Sequence, residues 1–318
     1  MSFGSLLTSG TLVLAADELA EVRDLRSTLA LTAGGFAGVI ALLVIFLYKT
    51  RAGIIARATC KEALRQPVFA LLLITSLVLL VFNTFVPFFS LGDDVKMLEI
   101  CGLATILISG MLLAIWTSSM SIADEIDGKT AMTLLSKPIN RRQFIVGKFV
   151  GIQTAVLFLV VPLVLAFWAL IVYKGFYDAR ETSGEMTMRL AQLEANKILP
   201  PVVLSILEIA VMSAISVAIS TRLPMMVNMI SCLTIFVIGH LTPVLVRGNL
   251  GRFEPVTFVA KGIAIVLPAV ENFNVEAAIV TGRVVQADYL AQVGAYSAAY
   301  IGAMILLAFI LFEDRDLA

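Results

Sequence analysis

Apolar positions in this chain fall into long unbroken runs separated by short clusters of charge. Seven runs approach or exceed the ~20 residues that a helix needs to cross the hydrocarbon core of a bilayer. They are Leu29–Tyr48, Val68–Ser90, Ile100–Ile122, Phe149–Tyr173, Pro200–Ser220, Met225–Val246 and Leu290–Phe312. None alternates with the two-residue period of a barrel strand, and lipid offers the backbone no hydrogen-bond partners, so each is predicted to be a helix. The fold class read from this pattern is all-α, a polytopic integral membrane protein. Composition agrees: 59% of residues are hydrophobic and 14% charged, against about 25% charged in an ordinary soluble domain. Mean hydropathy is +0.97.

Charge then assigns the loops to sides. The 23 basic and 23 acidic residues cancel, which argues against a nucleic-acid partner, since such a protein needs a basic surface. Their distribution is uneven. The connection after the first run holds Lys49, Arg51, Arg57, Lys61 and Arg65 against Glu62 alone, the segment after the third holds Lys129, Lys137, Arg141, Arg142 and Lys148, and the turn after the fifth holds Arg222. Lys and Arg gather on the cytoplasmic side. This predicts that loops 49–67, 123–148 and 221–224 are inside, the N-terminus outside and the C-terminus, Glu313 to Ala318, inside. Residues 1–28 are expected to form an external tail. The apolar stretch Leu12–Ala16 within it is short and has no Lys or Arg before it, so it lacks the basic region of a signal peptide.

Several connections read as more than linkers. In Arg51–Gln66, Arg57, Lys61 and Arg65 recur at i, i+4, i+8 while Ala56, Cys60, Ala63 and Leu64 share another face. That is the pattern of an amphipathic helix lying in the interface, and Pro67 then lets the chain turn into the second run. On the other side, Glu185–Lys197 favours helix, and the run Gly262–Val270, interrupted by Pro268, is too short to span and is expected at the outer surface. Within the spans, Glu208 and His240 are the polar residues of note, because an ionisable group in a membrane is costly. The pair could relay protons, although a helix-packing Glu and an interfacial His give the same pattern, and that structural reading is the preferred one. Ser213, Ser216 and Ala218 suit close helix packing. Cys60, Cys101 and Cys232 are far apart and form no C-x-x-C pair, so neither a zinc site nor a disulfide framework is indicated. No P-loop, HExxH or GxSxG occurs, and catalysis within this chain is not expected.

The charged block Ala123–Gly151 carries the strongest functional signal. Gly128 breaks the extension of the third run. Thr130 can cap a short helix Ala131–Leu135, Ser136-Lys137-Pro138 ends it, and Asn140 can cap a further helix that starts at Arg141 and continues into the fourth run. The order of residues resembles the first cytoplasmic loop of permease subunits of type-2 ATP-binding-cassette transporters, approximately E-x-G-T-x-x-x-L-L-S-x-P-[IV]-[SN]-R-x-x-[FIL]-x-x-G-K. The matching positions are Glu125, Gly128, Thr130, Leu134, Leu135, Ser136, Pro138, Ile139, Asn140, Arg141, Phe144, Gly147 and Lys148. The start departs in spacing: two residues separate Glu125 from Gly128, and Lys129 lies between Gly128 and Thr130. The stretches ATCKEALRQP, LPAVENFN and LFEDRDL are similar to the family as well, so the resemblance covers about residues 50–318.

The resemblance implies a six-span permease core, 68–318, preceded by the interfacial elbow 49–67 and one extra N-terminal span, 29–48. It implies a multi-pass protein of the bacterial inner membrane that holds no cofactor itself. ATP and Mg would be bound by a separate cytoplasmic ATPase subunit, and a second permease copy, identical or not, would complete the path. Glu125, Gly128, Lys129, Thr130, Leu134, Leu135, Pro138, Arg141 and Arg142 would form the ATPase-coupling site. Direction of transport, as an exporter, follows from the resemblance alone. Two other readings compete: a proton-coupled secondary transporter using Glu208 and His240, and a membrane scaffold that recruits proteins through the same loop without transport. The absence of visible inverted repeats disfavours the first.

Overall fold

The computed structural model describes residues 3–85, 94–123, 140–181, 187–247, 268–282 and 285–313, and every regular element among them is helical. In chain order these are α1 (Phe3–Lys49), α2 (Arg51–Arg65), α3 (Pro67–Phe85), α4 (Asp94–Ser118, prolonged by a π turn Ser119–Ala123), α5 (Arg141–Glu181), α6 (Met188–Asn196), α7 (Leu199–Ser220), α8 (Met225–Arg247), a 3-10 turn (Val270–Phe273), α9 (Glu276–Thr281) and α10 (Ala287–Glu313). Each of the seven apolar runs falls on its own helix. Six of these are long and apolar enough to cross a membrane, and α8 contributes a shorter apolar stretch, Met225–Leu241. The chain is a multi-pass membrane protein.

Two helices are longer than their apolar runs. α1 continues back to Phe3, so the tail expected over residues 1–28 belongs to the same helix as the first span. α5 joins the helix expected at Arg141 to the fourth span without a break and reaches Glu181. At about 1.5 Å per residue, its 41 residues measure roughly 60 Å, about twice the hydrocarbon thickness.

The core is built around α7, the most thoroughly buried span. Pro200 and Pro201 sit in its first turn, where a missing N–H costs nothing. Below them Leu204, Ile209, Val211, Met212 and Ala214 are buried among α4, α5 and α10. Gly102 of α4 makes room for α5: an added Cβ would lie 2.2 Å from the Phe167 ring. α1 and α3, by contrast, keep most of their apolar side chains on the perimeter, with Leu42, Ile45, Leu71, Ile74 and Val78 all exposed. In a membrane that perimeter faces lipid.

The ends of α1, α4, α7 and α10 meet the start of α5 on one face, here called the basic face because Lys49, Arg57, Arg65, Arg141 and Arg222 lie there. Opposite it, on the distal face, Trp168 donates its indole N–H to Asn196 Oδ1 (3.0 Å), and Lys174 pairs with Asp178 (3.1 Å) and Asp94 (3.8 Å). α6, the 3-10 turn and α9 cover the distal ends. Residues 248–267, which hold most of the run Gly262–Val270, lie outside the described residues.

α2 is the amphipathic helix expected between the first two spans. Thr50 caps it, its Oγ1 accepting from the Gly53 N–H at 3.0 Å. Arg57, Lys61 and Arg65 are exposed, while Ala52, Gly53, Ala56, Thr59, Cys60 and Ala63 form the buried face. That face lies along the N-terminal part of α5, where Gly147, Gly151 and Ala155 recur every four residues. A Cβ at Gly147 would meet Ala52 O at 2.8 Å, and one at Gly151 would meet Ala56 O at 2.7 Å and Thr59 Cβ at 2.8 Å. The two backbones therefore touch, the packing that small residues at four-residue spacing permit between helices in membranes. Trp116 Nε1–H donates to Gln66 Oε1 (3.1 Å), tying the end of α2 to α4.

Gly151→Leu is expected to lift α2 from α5 at a cost of about 1–3 kcal/mol, seen as a lower midpoint in thermal unfolding of the purified protein. Burial in this seam pushes the Cys60 thiol up to about 11, so little thiolate exists near neutral pH. In the variant the thiol should return towards its ordinary range. Maleimide labelling of Cys60, mapped by peptide mass spectrometry at pH 8, should then accelerate by about tenfold or more, because the thiolate is the reactive form.

Candidate functional site

Seven of the nine coupling-loop residues, Glu125, Gly128, Lys129, Thr130, Leu134, Leu135 and Pro138, lie outside the described residues, as does the short helix expected at Ala131–Leu135. The structure does show how the chain leaves and rejoins the bundle on either side of them.

At the rejoining end, Asn140 takes the position before the first turn of α5. Its carbonyl accepts from the Phe144 N–H (3.1 Å), and its own N–H is 3.4 Å from Gln143 Oε1, the return half of a capping box. Arg141, itself exposed, reaches across to the last carbonyls of α10: Nη1 donates to Glu313 O at 3.0 Å and Phe312 O at 3.5 Å. Its guanidinium lies 5.9 Å from the Phe312 ring centre, and Phe312 stacks on Phe144 at 5.8 Å. A cation at this place satisfies unpaired carbonyls and opposes the negative end of the helix dipole. Arg142 is exposed beside it. Both arginines line a surface cavity of about 310 Å³ with Asn140, Phe309, Phe312 and Glu313. The two named arginines thus have different surroundings: Arg141 braces α10, and Arg142 faces outward.

At the leaving end, α4 changes to its π turn just where the hydroxyl-rich stretch Thr117-Ser118-Ser119 begins to meet α7 and α8. π turns leave backbone groups offset from the α-helical ladder and occur often at functional sites. Ser118 and Ser216 share a hydrogen bond between their hydroxyls. Asn228 Nδ2–H donates to Ser119 Oγ (2.8 Å) and Ser216 Oγ (3.0 Å), and its Oδ1 accepts from the Cys232 thiol (3.3 Å). Gln153 of α5 donates to Ser213. Ser118, Ser119, Ser216, Asn228 and Cys232 are all fully buried. The network links α4, α7 and α8 directly above the loop, with α5 joined through Gln153. Of its members, Ser213 and Ser216 are the two that the sequence marks for helix packing. The signal for the others was present, because Ser118, Ser119 and Asn228 are polar residues within or at the ends of apolar runs.

Glu208 and His240, named together from sequence, do come together. Glu208 Oε1 is 3.6 Å from His240 Nε2, within reach of an ion pair and too long for a hydrogen bond. His240 Nδ1 is 3.2 Å from Phe236 O. A carbonyl only accepts, so Nδ1 carries a proton in this contact, and Nε2 is the ring nitrogen that faces Glu208. The imidazole also lies against the Phe236 ring, 4.4 Å between centres. Glu208 is buried, and its Oε1 has no hydrogen-bond partner. Both residues line a cavity of about 410 Å³ between α4, α7, α8 and the distal cover. Such a pair can hold one proton, or accept one from a ligand. Among the described residues, no group of three or more His, Cys, Asp or Glu is placed to hold a metal ion.

Replacing Asn228 by Leu removes the bridge between Ser119 and Ser216 and leaves their hydroxyls short of a donor. A loss of about 1–2 kcal/mol is expected, the upper range for interhelical hydrogen bonds in membranes. It should be less than additive with Ser216→Ala in a double-mutant cycle read by thermal unfolding.

The family model described as ABC-2 family transporter protein matches residues 14–317. No curated protein matches the chain. The match takes in α1 from Leu14 onward as well as the core, so the extra N-terminal helix lies within the family's extent. The match covers most of the chain, and the chain belongs to the ABC-2 transporter family, the membrane-spanning, permease component of ABC transporters.

Proposed function

We propose that this permease is the membrane half of an exporter driven by a separate cytoplasmic ATPase that docks on the loop 123–148. The basic face is then cytoplasmic, with the N-terminus outside and the C-terminus inside, and two permease subunits, alike or different, form the path. ATP and Mg are bound by the ATPase, and this chain binds neither. The observation that carries the reading is the way the loop's two attachments are tied into the bundle. On one side the π turn of α4 enters the serine–asparagine network with α7 and α8. On the other, the first turns of α5 are clasped by α2 and by the end of α10. A force on the loop therefore reaches six helices at once. For ATP to drive transport, the ATPase must contact the loop differently in its two states.

Glu125, Lys129 and Arg142 are assigned to charge pairing with the ATPase, and Leu134, Leu135 and Pro138 to its apolar cleft. Gly128 and Thr130 set the start of the short helix. Arg141 acts through α10. Glu125→Lys, Leu134→Asp and Arg142→Glu should each leave the permease folded, yet abolish capture of a P-loop ATPase from native membranes or lower its permease-stimulated activity about fivefold or more. Arg141→Ala should lower thermal stability as well as coupling. If capture and stimulation survive Glu125→Lys and Leu134→Asp together, the loop is not the docking site.

The Glu208–His240 contact supports one further reading, in which protons drive transport by this chain alone. Proteoliposomes holding only the permease, under a pH gradient and without nucleotide, test it: flux there favours proton coupling, and flux only with ATPase and ATP favours the first reading. Capture of partners with no flux under either condition leaves the scaffold.

A further inference from the structure

The cavity beside Glu208 and His240 is chemically distinct from the coupling region. Its walls are largely apolar, with Leu103, Leu107, Phe236 and Phe273 among them. Ile108, Val237 and Leu241, which also line it, are about half exposed on the perimeter (47%, 50% and 49%). It therefore opens sideways, towards the region that lipid occupies in a membrane. Its volume, about 410 Å³, lies in the range of small-molecule sites, ~300–1,000 Å³.

The polar part of the lining is small. Ser205 spends its hydroxyl hydrogen on Pro201 O (3.2 Å), and Asn274 Oδ1 accepts from the Glu276 N–H (2.8 Å). Nδ1–H of His240 is committed to Phe236 O. Glu208 Oε1 faces His240 Nε2 at 3.6 Å and has no hydrogen-bond partner. Among the described lining residues the acidic side chains are Glu208 and Glu276, and none is Lys or Arg. A buried carboxyl oxygen without a partner is costly, and an amine with more than one N–H is a group that would supply one.

We propose that this cavity binds an amphipathic amine. The ammonium donates one N–H to Glu208 Oε1 and another to His240 Nε2, and the apolar body of the ligand lies along Leu103, Leu107 and Phe273. Access is lateral, past Ile108 and Leu241. The proposal concerns binding and does not depend on the coupling loop, so the same assay on Glu125→Lys should give wild-type affinity even if the docking assignment fails.

The test uses the full chain in phosphatidylcholine nanodiscs with radiolabelled dodecylamine and a diazirine analogue of it. Wild type should bind dodecylamine saturably, and crosslinks should map to peptides of α4, α7 and α8. Glu208→Gln keeps the size of the side chain and loses its charge, and should weaken binding about tenfold or more. Ala104→Phe fills the cavity from α4 without touching the carboxylate and should do the same. Dodecyltrimethylammonium, which has the charge but no N–H, should compete poorly, and dodecanoate not at all. Adding phosphatidylethanolamine to the nanodiscs identifies the source of the amine: displacement of dodecylamine makes it a lipid headgroup, and no displacement makes it a free amine. Non-saturable uptake, crosslinks confined to the outer surfaces of α3 and α10, or unchanged affinity in Ala104→Phe overturns the proposal. Should Glu208→Gln fail to elute as a single species, Ala104→Phe decides alone.

Discussion

Lipid supplies no hydrogen bonds, and this one constraint orders the rest of the molecule. It forces the spans to be helical, and it requires polar side chains within them to find partners inside the bundle. The serines at the end of α4 meet those of α7 and the amide of Asn228, which accepts and donates at once. Serine hydroxyls elsewhere turn back to their own helix, as Ser297 does to Val293 O and Ser205 to Pro201 O. Glu208 is the ionisable member of a small group of buried side chains, Thr28 and Thr117 among them, that have an atom without such a partner. The constraint thus separates polar groups that hold the bundle together from a polar group that waits for something else.

The same constraint explains where the bundle is tightest. With lipid as solvent, association of helices depends on close contact more than on apolar burial. The closest contacts occur where glycine or alanine removes the side chain between two backbones, along α2 and α5, or admits a ring, as Gly102 admits Phe167. α2 is short and amphipathic, and its propensity alone would leave it marginal in water. Its fixed position comes from Thr50, from the seam with α5 and from Gln66 on Trp116. An amphipathic helix usually rests on the membrane surface; this one is fastened to the protein.

Much of the fold was legible because hydropathy is a local property. Seven runs gave seven helices, the spacing of Arg57, Lys61 and Arg65 gave the orientation of α2, and Asn140 marked the start of α5. Glu208 and His240 could be paired from sequence because ionisable residues are so rare in spans that two of them invite the question. What was missed is of another kind. The helix before Leu29 mixes charge with alanine and leucine, a composition that reads as a tail unless its continuity with the span is known. Gly147, Gly151 and Ala155 stand at a recognisable spacing, but which helix fills the groove they make is set by tertiary packing. Arg141 looked like one of two equivalent loop cations. Its partner is 172 residues away, at the end of the last span, and no local pattern could join them.

The length of α5 has a mechanical consequence. Clasped by α2 around Gly151, it extends about 15 Å to Arg141 on one side and about 45 Å to Glu181 on the other, at 1.5 Å rise per residue. A helix held near one end is an unequal lever, and a tilt that moves its short arm by 1 Å moves the tip of its long arm by about three. Pro162 lies in the long arm, where its missing hydrogen bond softens the helix and sets how much of that gain is delivered as bending. Small strokes at the basic face therefore become large ones at the distal face, and the glycine seam is the fulcrum.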